Sequence, residues 1–421
     1  MRIFRSLSAR VVLALLLGLI LGAVLHGADQ TPEWVTETAQ AVGGLWLSAL
    51  QMTVVPLVFA LLVVGIAQAA DAAATGRLAA RAVGLFLGLV GLVAALTLAL
   101  ITLSFQVWPV DPSAAAALVA GSATGEPVPA METGGFAAWL QSLAPGNPVK
   151  AAADNAILSL VLFGVFFGFA TTRLAAEPRG RIVGLFDAVG EAMIVIVRWV
   201  LWAAPVGVFA LALALGLTSG IGSAGAIVHY VILASSACIG TLLISYPLGI
   251  IGGRLAPGRF FKAMAPVTAV AIGTQSSLGS LPVMIEQSRD VLRIGERTVG
   301  VVLPLAVAIF RITSPAANLT VALFVAHVMG VPIGFEQMAA AWLVSIAVSV
   351  ASVGLPGQVS FFASIVPICV AMGLPTQLLP LLLAVEVIPD IFRTVGNVTA
   401  DTAVTAALGR NDHEEDEVVS S

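Results

Sequence analysis

The stretch AMAPVTAVAIGTQSSLGSLPVMI (263–285) decides how this chain is folded. Its two ends are apolar, and a polar, glycine-rich sequence, GTQSSLGS, occupies the middle at 273–280. Basic loops flank it on both sides, at 254–262 and at 286–297. Lysine and arginine stay on the cytoplasmic side of a membrane, so a helix that crossed here would leave one of these loops outside. The sequence therefore predicts a re-entrant hairpin, whose non-helical tip must be enclosed by protein or face a water-filled cavity.

The composition of the whole chain also indicates a membrane protein. Of its 421 residues, 59% are apolar and only 10% are charged, whereas a soluble domain carries roughly 25% charged residues. A globule in water has too much outer surface to hide such an apolar sequence. The 19 basic residues are balanced by 23 acidic ones, which does not suit a nucleic-acid-binding protein. The composition excludes a cytosolic enzyme, a disordered protein and a nucleic-acid-binding protein.

Long stretches without charged residues mark the membrane crossings, since a helix needs about 20 apolar residues to span a bilayer. The loops alternate between basic and acidic as far as residue 253, which predicts cytoplasmic N- and C-termini. The first span is expected to be an uncleaved helix, with a cleaved signal peptide as the alternative. The tail at 409–421 is acidic and is expected to be solvated in the cytoplasm. The chain is thus predicted to be a multi-pass protein of the cell inner (plasma) membrane, with crossings near 11–25, 44–70, 82–106, 137–172, 190–218, 225–253, 298–329 and 376–408.

A second hairpin is predicted at 339–371, opening to the other side of the membrane, with its break at SVGLPG (352–357). Each hairpin precedes a crossing helix that is expected to be interrupted, at FRITSP (310–315) and at PDIFRTVGN (389–397). This arrangement is an inverted repeat, and in transporters the substrate site lies where such repeats meet. The predicted fold class is an all-α membrane protein with eight transmembrane helices and two re-entrant helical hairpins. The alternative is a plain helical bundle with glycine kinks, which leaves the two basic loops unexplained.

Five polar residues recur in the last predicted span at helical spacing, so they lie on one face of the helix. They are Glu386, Asp390, Arg393, Asn397 and Asp401. An ionisable group at membrane depth costs at least about 2.5–3.5 kcal/mol, so it needs a partner or a function. A face with both signs of charge suits a zwitterion, because Arg393 can bind a carboxylate bidentately and Asp390 can accept from an ammonium group. The alternative is an ion-pair ladder that only locks helices together.

The sequence favours a carrier over an enzyme. It has no nucleophile-elbow, zinc-protease or phosphate-loop motif, and its four histidines are scattered, so no catalytic residue, metal site or cofactor is expected. Ser276 and Ser277, at the tip of the first hairpin, are expected to offer hydroxyl and backbone donors to an anion. A channel or receptor that binds the ligand without moving it is a further alternative, but the inverted hairpins argue against it.

Five stretches together resemble the glutamate transporter homologue family, also called dicarboxylate/amino acid:cation symporters. They are QMTVVPLVFALLVVGI (51–66), NPVKAAADNAILSLVLFGVFFG (147–168), APVGVFAL (204–211), GTQSSLGSLPV (273–283) and FRTVGNVTAD (392–401). The last two are specific motifs of that family. The resemblance implies a homotrimer that works by an elevator movement. It implies a scaffold formed by 1–75 and 107–220, the latter also mediating trimerisation, and a mobile transport domain formed by 76–106 and 221–408, with the second hairpin as its gate.

The same resemblance implies roles for residues at matching positions. Arg393 would bind the side-chain carboxylate of an acidic amino acid, and Asp390 would bind its amino group. The substrate is therefore expected to be aspartate or glutamate, with a C4-dicarboxylate held by Arg393 and Arg311 as the alternative. The other implied substrate contacts are Asn397, Thr394, Ser277, Ser276 and Ser314, together with the second-hairpin residues Val353, Gly354, Pro356 and Gly357.

The chain departs from the family where sodium binds. The family motif NMDGT reads Phe310-Arg311-Ile312-Thr313-Ser314 here, so that Phe310 and Ile312 replace an Asn and an Asp. In the third span, apolar residues replace a Tyr and a Thr-Ser pair; these are Phe86, Leu89 and Val90. The second hairpin tip is also three residues shorter than in the family. Sodium needs several hard oxygen ligands, so these losses predict a carrier that does not use sodium. Asp401, a ligand of a further sodium ion in the family, is retained, and the alternative is a symporter with fewer sodium sites.

Arg311 is expected to replace the charge of the missing sodium ions by offsetting Asp390 or Asp401. The positions where other members carry an arginine hold Gln275 and Ile391 here, which is consistent with Arg311 being the new partner of Asp390. Glu386 stands where the family usually has Asp. Because it is expected to lie among apolar neighbours, it is a candidate proton carrier. Proton coupling is the leading expectation for the driving force, and facilitated exchange is the alternative.

Overall fold

The computed structural model describes residues 7–27, 32–74, 76–121, 141, 144–154, 156–220, 222–351 and 357–410. The elements described are eighteen α-helices and one π-helical turn, with no strand among them. The first part of the chain forms α1 (Leu7–Gly27), α2 (Glu33–Gln51), α3 (Val54–Ala74), α4 (Arg77–Val107), α5 (Pro112–Gly121), α6 (Pro148–Ala153), α7 (Ile157–Thr172), α8 (Ala176–Trp202) and α9 (Ala204–Ser219).

The second part of the chain begins with α10 (Ala224–Pro247), which continues into the π-helical turn (Leu248–Gly252). It then forms α11 (Pro257–Thr274), α12 (Ser277–Asp290), α13 (Glu296–Ile309), α14 (Thr313–Val328), α15 (Phe335–Ala351), α16 (Gly357–Ala371), α17 (Leu379–Val385) and α18 (Val387–Leu408).

Five helical stretches are long and apolar enough to cross a membrane. They are Arg10–Gly27, Glu33–Ala74, Arg77–Val107, Ala224–Gly252 and Glu296–Val328. The pair α8 and α9, bent by 56° at their junction, forms a sixth if it is counted as one span. These six stretches overlap six of the eight predicted crossings, while the predictions at 137–172 and 376–408 fall on helices that do not pass this test. The predicted all-helical membrane fold is confirmed.

Both predicted hairpins are pairs of helices that pack against each other. In the first, α11 ends at Thr274 and α12 begins at Ser277. Gln275 has φ +49°, a left-handed conformation that reverses the chain. The Ser276 hydroxyl accepts from the Gly279 N–H at 3.1 Å and caps α12. In the second hairpin, α15 packs on α16, and residues 352–356 between them lie outside the described part of the chain.

The two predicted interruptions of crossing helices have different outcomes. The first is confirmed, because α13 ends at Ile309 and α14 begins at Thr313. The second prediction, a break over 389–397, is wrong: α18 runs unbroken from Val387, and the interruption is a turn at Glu386. Pro389 lies in the first turn of α18, where backbone N–H groups have no partner within the helix, so proline is tolerated there.

Candidate functional site

Helix α18 carries the predicted polar face through the interior of the second part of the chain. It packs against α10, α11, α13 and α14, and every residue from Arg393 to Ala406 is buried. Glu386, in the turn before α18, and Asp401, within it, are each only 1% exposed. The charged face is therefore covered by protein, which avoids the cost of placing ionised groups in hydrocarbon.

A buried triad of side chains joins α10 to the start of α18. Arg393 Nη2 donates to Glu386 Oε1 at 2.8 Å, and the Tyr230 hydroxyl donates to Glu386 Oε2 at 2.5 Å. The same Nη2 lies 3.4 Å from Asn318 Oδ1 on α14. Arg393 Nε is buried and has no hydrogen-bond partner among the described residues. Because a buried donor without a partner is costly, this nitrogen indicates a place for an anionic group that the guanidinium would bind.

Asn397 holds the start of α14 in place. Its Oδ1 accepts from the Thr313 N–H at 3.1 Å and from the Thr313 hydroxyl at 2.8 Å, which satisfies a donor in the first turn of that helix. One turn further, Asn318 Nδ2 donates to the Ser314 hydroxyl at 3.0 Å. The Thr394 hydroxyl donates to the Asp390 carbonyl within α18 at 2.9 Å. The contacts between Asn397 and Thr313 fix the start of α14 against the charged face.

Asp390 and Asp401 are buried carboxylates near Arg311. Arg311 lies in the interruption between α13 and α14 and interacts electrostatically with both, although no carboxylate oxygen of the described residues lies within 4.0 Å of its guanidinium. Both carboxylate oxygens of Asp401 are buried without a hydrogen-bond partner in the described chain. No described residue hydrogen-bonds the side chain of Asp390 either. Arg311 is therefore the positive charge that faces Asp401, whereas Asp390 interacts with both Arg393 and Arg311.

The remainder of the interruption is apolar. The rings of Phe310 and Phe86 stack with centroids 4.6 Å apart and planes 19° from parallel. Phe310 and Ile312 are each 1% exposed, and Phe86 is 2% exposed. The stack brings α4 against the interrupted helix and fills the space with carbon. Among the described residues, no group of three or more His, Cys, Asp or Glu side chains is arranged to hold a metal ion.

The predicted hairpin-tip residues are only partly described. Ser277 is buried at the first position of α12, while Gln275 and Ser276 are half-buried beside it. Helix α12 packs on α18, but no hydrogen bond among the described residues joins these three side chains to the charged face. In the second hairpin, Gly357 begins α16. The predicted contacts Val353, Gly354 and Pro356 lie outside the described residues.

Sequence reasoning missed two members of the triad region, Tyr230 and Asn318. Each had a detectable signal. Tyr230 is one of only two tyrosines in the chain, and it interrupts a charge-free apolar span where a hydroxyl needs a partner. Asn318 follows Ser314 by four residues, so both lie on one face of the helix.

Comparisons with known proteins point to one family. The family model described as the sodium:dicarboxylate symporter family matches residues 7–410. The chain is 27% identical over 416 residues to the proton/glutamate-aspartate symporter of Escherichia coli, an alignment that covers 98% of this chain and 94% of the relative. It is 28% identical to C4-dicarboxylate transport protein 2 of Ralstonia nicotianae, covering 97% and 89%. It is 29% identical to the human neutral amino acid transporter A, covering 94% and 80%.

Proposed function

We propose that this chain, which belongs to the sodium:dicarboxylate symporter family, carries an acidic amino acid across the membrane with Arg393 holding the side-chain carboxylate. The resemblance predicted from the sequence motifs is confirmed, and so is the expectation of a transporter rather than an enzyme. The family and the apolar helices imply a membrane location. The particular substrate, the driving force and the movement are our proposals.

The buried guanidinium of Arg393 is the observation that carries the proposed substrate. It is bound on one side by Glu386 and keeps a buried nitrogen, Nε, that has no hydrogen-bond partner among the described residues. A carboxylate of the substrate would accept a hydrogen bond from this nitrogen and compete with Glu386 for Nη2. Arginine binds carboxylates through two parallel hydrogen bonds of this kind. Asp390 would accept from the substrate ammonium group, because no described residue already hydrogen-bonds its carboxylate.

The rest of the substrate would be held by groups around this pair. Arg393 and Asp390 lie on α18, and the other proposed contacts come from the same helix, the interrupted helix and the two hairpin tips. They are Asn397, Thr394, Ser314, Ser276, Ser277, Val353, Gly354, Pro356 and Gly357. A main-chain carboxylate would fit the N-terminus of α12, where unpaired backbone N–H groups favour anions.

A C4-dicarboxylate is the second candidate substrate, because some relatives are named as carriers of that class. Such a substrate has two carboxylates, and Arg393 and Arg311 would supply two positive partners. The position of Asp390 favours the amino acid instead. A second substrate carboxylate near the Asp390 side chain would be repelled, whereas an ammonium group would be attracted.

The carrier is proposed to work without sodium. The side chains of Phe310, Ile312 and Phe86 offer no oxygen ligand, and the stacked rings occupy the space between α4 and the interrupted helix. Sodium requires several hard oxygen ligands at one point. Arg311 supplies a permanent positive charge beside Asp390 and Asp401, and this charge would take over the electrostatic role of bound sodium ions. The alternative is a symporter that keeps a reduced set of sodium sites through Asp401.

Glu386 is proposed to couple transport to protons. In its ionised form it binds Arg393 and so competes with the substrate carboxylate for the same donor. Protonation weakens this pair and frees Arg393 to bind substrate. Binding of the proton and binding of the substrate would therefore favour each other, and such coupling is reciprocal. Both would cross together, as symport requires.

The proposed movement is that of an elevator within a homotrimer in the inner (plasma) membrane, with both termini in the cytoplasm. The scaffold would comprise 1–75 and 107–220, and the transport domain 76–106 and 221–408. The packing of α18 against α10 to α14 supports one compact body in the second part of the chain. The helix α4 also packs on α13 and α14, which supports its assignment to that body despite its early position.

Uptake of labelled aspartate into proteoliposomes tests the function directly. We expect accumulation with an inward proton gradient, little uptake without a gradient, and no change when sodium is replaced by choline. Labelled succinate in parallel distinguishes the C4-dicarboxylate alternative. A strict requirement for sodium would refute the role proposed for Arg311. Binding of aspartate without any counterflow would instead indicate a receptor.

Arg311 and Asp401 are expected to depend on each other for stability. Arg311→Gln should lower the thermal stability of the purified protein, because it leaves the buried Asp401 carboxylate without its nearby positive charge. The double variant Arg311→Gln/Asp401→Asn should recover much of that loss. Arg289→Gln is the matched control, since Arg289 pairs with Glu296 at an exposed position. Losses that simply add in the double variant would show that the two charges do not interact.

A further inference from the structure

A large apolar groove separates two sets of helices on the side of the molecule. Its volume is about 510 Å³, and it lies between α3 and α7 on one wall and α4 and α15 on the other. All 18 described side chains that line it are Ala, Val, Leu, Ile, Phe or Trp. The one polar side-chain atom among them, Trp342 Nε1, donates to the Gly91 carbonyl at 2.9 Å. Water would find no hydrogen-bond partner in the groove.

The groove is open to the surroundings of the helices that form it. Leu87, Phe169 and Leu343 line it and are 43%, 57% and 39% exposed. Since α4 is a membrane-spanning helix, the medium beside these side chains is hydrocarbon. With roughly 30 Å³ for each methylene-sized group, taken as the volume of a water molecule in the liquid, the groove holds about 17 such groups. That is the size of one phospholipid acyl chain.

Unpaired arginines lie at one end of the groove. Its lining reaches Ala73 at the end of α3 and Phe169 near the end of α7. Arg77 begins α4 and comes four residues after Ala73 in the sequence, and Arg173, the residue that ends α7, follows Phe169 by about one helical turn. Arg77, Arg173 and the next arginine of α4, Arg81, are exposed, and no carboxylate in the described residues lies within 4.0 Å of them.

Two neighbouring arginines, unlike Arg77, Arg81 and Arg173, form ion pairs with carboxylates. Arg179 pairs with Asp71, and Arg181 pairs with Glu177 at 2.5 Å. The arginines at the mouth of the groove thus remain available as positive partners, and clusters of this kind at the cytoplasmic face attract anionic headgroups.

We propose that this groove binds an acyl chain of an anionic phospholipid, whose phosphate contacts Arg77, Arg81 and Arg173. The acyl chain would fill the space between the aliphatic and aromatic side chains that form the walls of the groove. On the proposed division of the protein, α3 and α7 belong to the scaffold and α4 and α15 to the transport domain. The lipid would then lie between the scaffold and the transport domain, at the surface where one slides against the other. It would set how readily these two domains separate. That consequence depends on the proposed function, whereas the binding itself does not.

Fluorescence quenching by brominated lipid tests the site without any transport measurement. The protein is reconstituted into vesicles of dibromo-phosphatidylglycerol or dibromo-phosphatidylcholine, and the contribution of Trp342 is obtained by subtracting the signal of Trp342→Phe. We expect phosphatidylglycerol to quench this contribution at several-fold lower mole fraction than phosphatidylcholine. Ala347→Leu, which fills the groove, should reduce the quenching. Ala99→Leu, at an exposed position of α4 away from the groove, should leave it unchanged.

Charge variants test the headgroup contact. The triple variant Arg77→Gln/Arg81→Gln/Arg173→Gln should abolish the preference for phosphatidylglycerol. Arg181→Gln is the matched control and should keep the preference. A Trp342 contribution that neither lipid quenches would overturn the proposal. Equal quenching by both lipids in the unaltered protein would overturn the headgroup contact. These quenching measurements require no uptake. Failure of the lipid proposal can therefore be distinguished from failure of the proposed aspartate transport.

Discussion

Replacing Arg393 with alanine is expected to abolish aspartate uptake, with a loss of at least about thirtyfold, because truncating one partner of a buried charge pair typically costs 2–5 kcal/mol or more. The variant would lack the only side chain on α18 placed to bind a substrate carboxylate among the described residues. Arg393→Lys should also be strongly impaired, since lysine keeps the charge but not the planar fork of donors. Uptake and aspartate binding by calorimetry measure both effects.

Folding must be measured alongside this loss. In Arg393→Ala the buried Glu386 keeps Tyr230 as a partner but loses its counter-charge, so some loss of thermal stability is expected. Arg393→Lys retains a positive charge beside Glu386. It therefore separates the loss of substrate binding from the loss of thermal stability. Arg181→Ala, which removes an exposed arginine, should leave uptake and stability unchanged. Normal aspartate uptake by Arg393→Ala would mean that the substrate binds elsewhere.

Replacing Glu386 with glutamine is expected to uncouple transport from protons. Glutamine cannot take up and release a proton as a carboxyl group does, so a proton gradient should no longer drive accumulation of aspartate. Exchange of internal for external aspartate should persist, because it requires no net proton movement. Aspartate should also bind more tightly at neutral pH, since the competitor for Arg393 is gone. Accumulation and counterflow in the same proteoliposomes distinguish these effects.

Tyr230→Phe provides the matched control for Glu386. It removes the hydroxyl that donates to Glu386 at 2.5 Å but leaves the carboxyl group itself able to take up a proton. Proton-driven accumulation should survive, with its dependence on pH displaced. If Glu386→Gln still accumulates aspartate against a gradient, the proton is carried by another group. Asp401 is then the next candidate, because its two buried oxygens have no partner in the described chain.

Local chemistry allowed the main features of the fold to be predicted. The flanking basic loops identified the first hairpin, and the glycine-rich tip identified its turn near Gln275. Helical spacing identified the charged face of α18, since a period of 3.6 residues brings Glu386, Asp390 and Arg393 to one side. The interruption before Thr313 was also predicted. Each of these features is encoded by residues that lie close together in the sequence.

The features that sequence reasoning missed depend on distant parts of the chain. Tyr230 and Glu386 are 156 residues apart, and only tertiary packing brings them together. The predicted interruption covered 389–397, which contains Pro389 and Gly396, whereas the interruption lies at Glu386. Pro389 lies in the first turn, where it is tolerated. A Cβ at Gly396 would lie 2.5 Å from a Thr313 methyl group, so this glycine allows close helix packing rather than a break.

The covalent attachment of Arg311 has an electrical consequence. A sodium ion crosses with the substrate and is then released, so it adds its charge to every cycle. On the proposed elevator movement, the Arg311 guanidinium would travel inward with the substrate and outward without it, so its contribution to the current would cancel. One aspartate anion carried with one proton would then be electroneutral. Such a carrier would escape the roughly 2.3 kcal/mol per charge that a membrane potential of about 100 mV otherwise imposes, and its uptake would be insensitive to voltage.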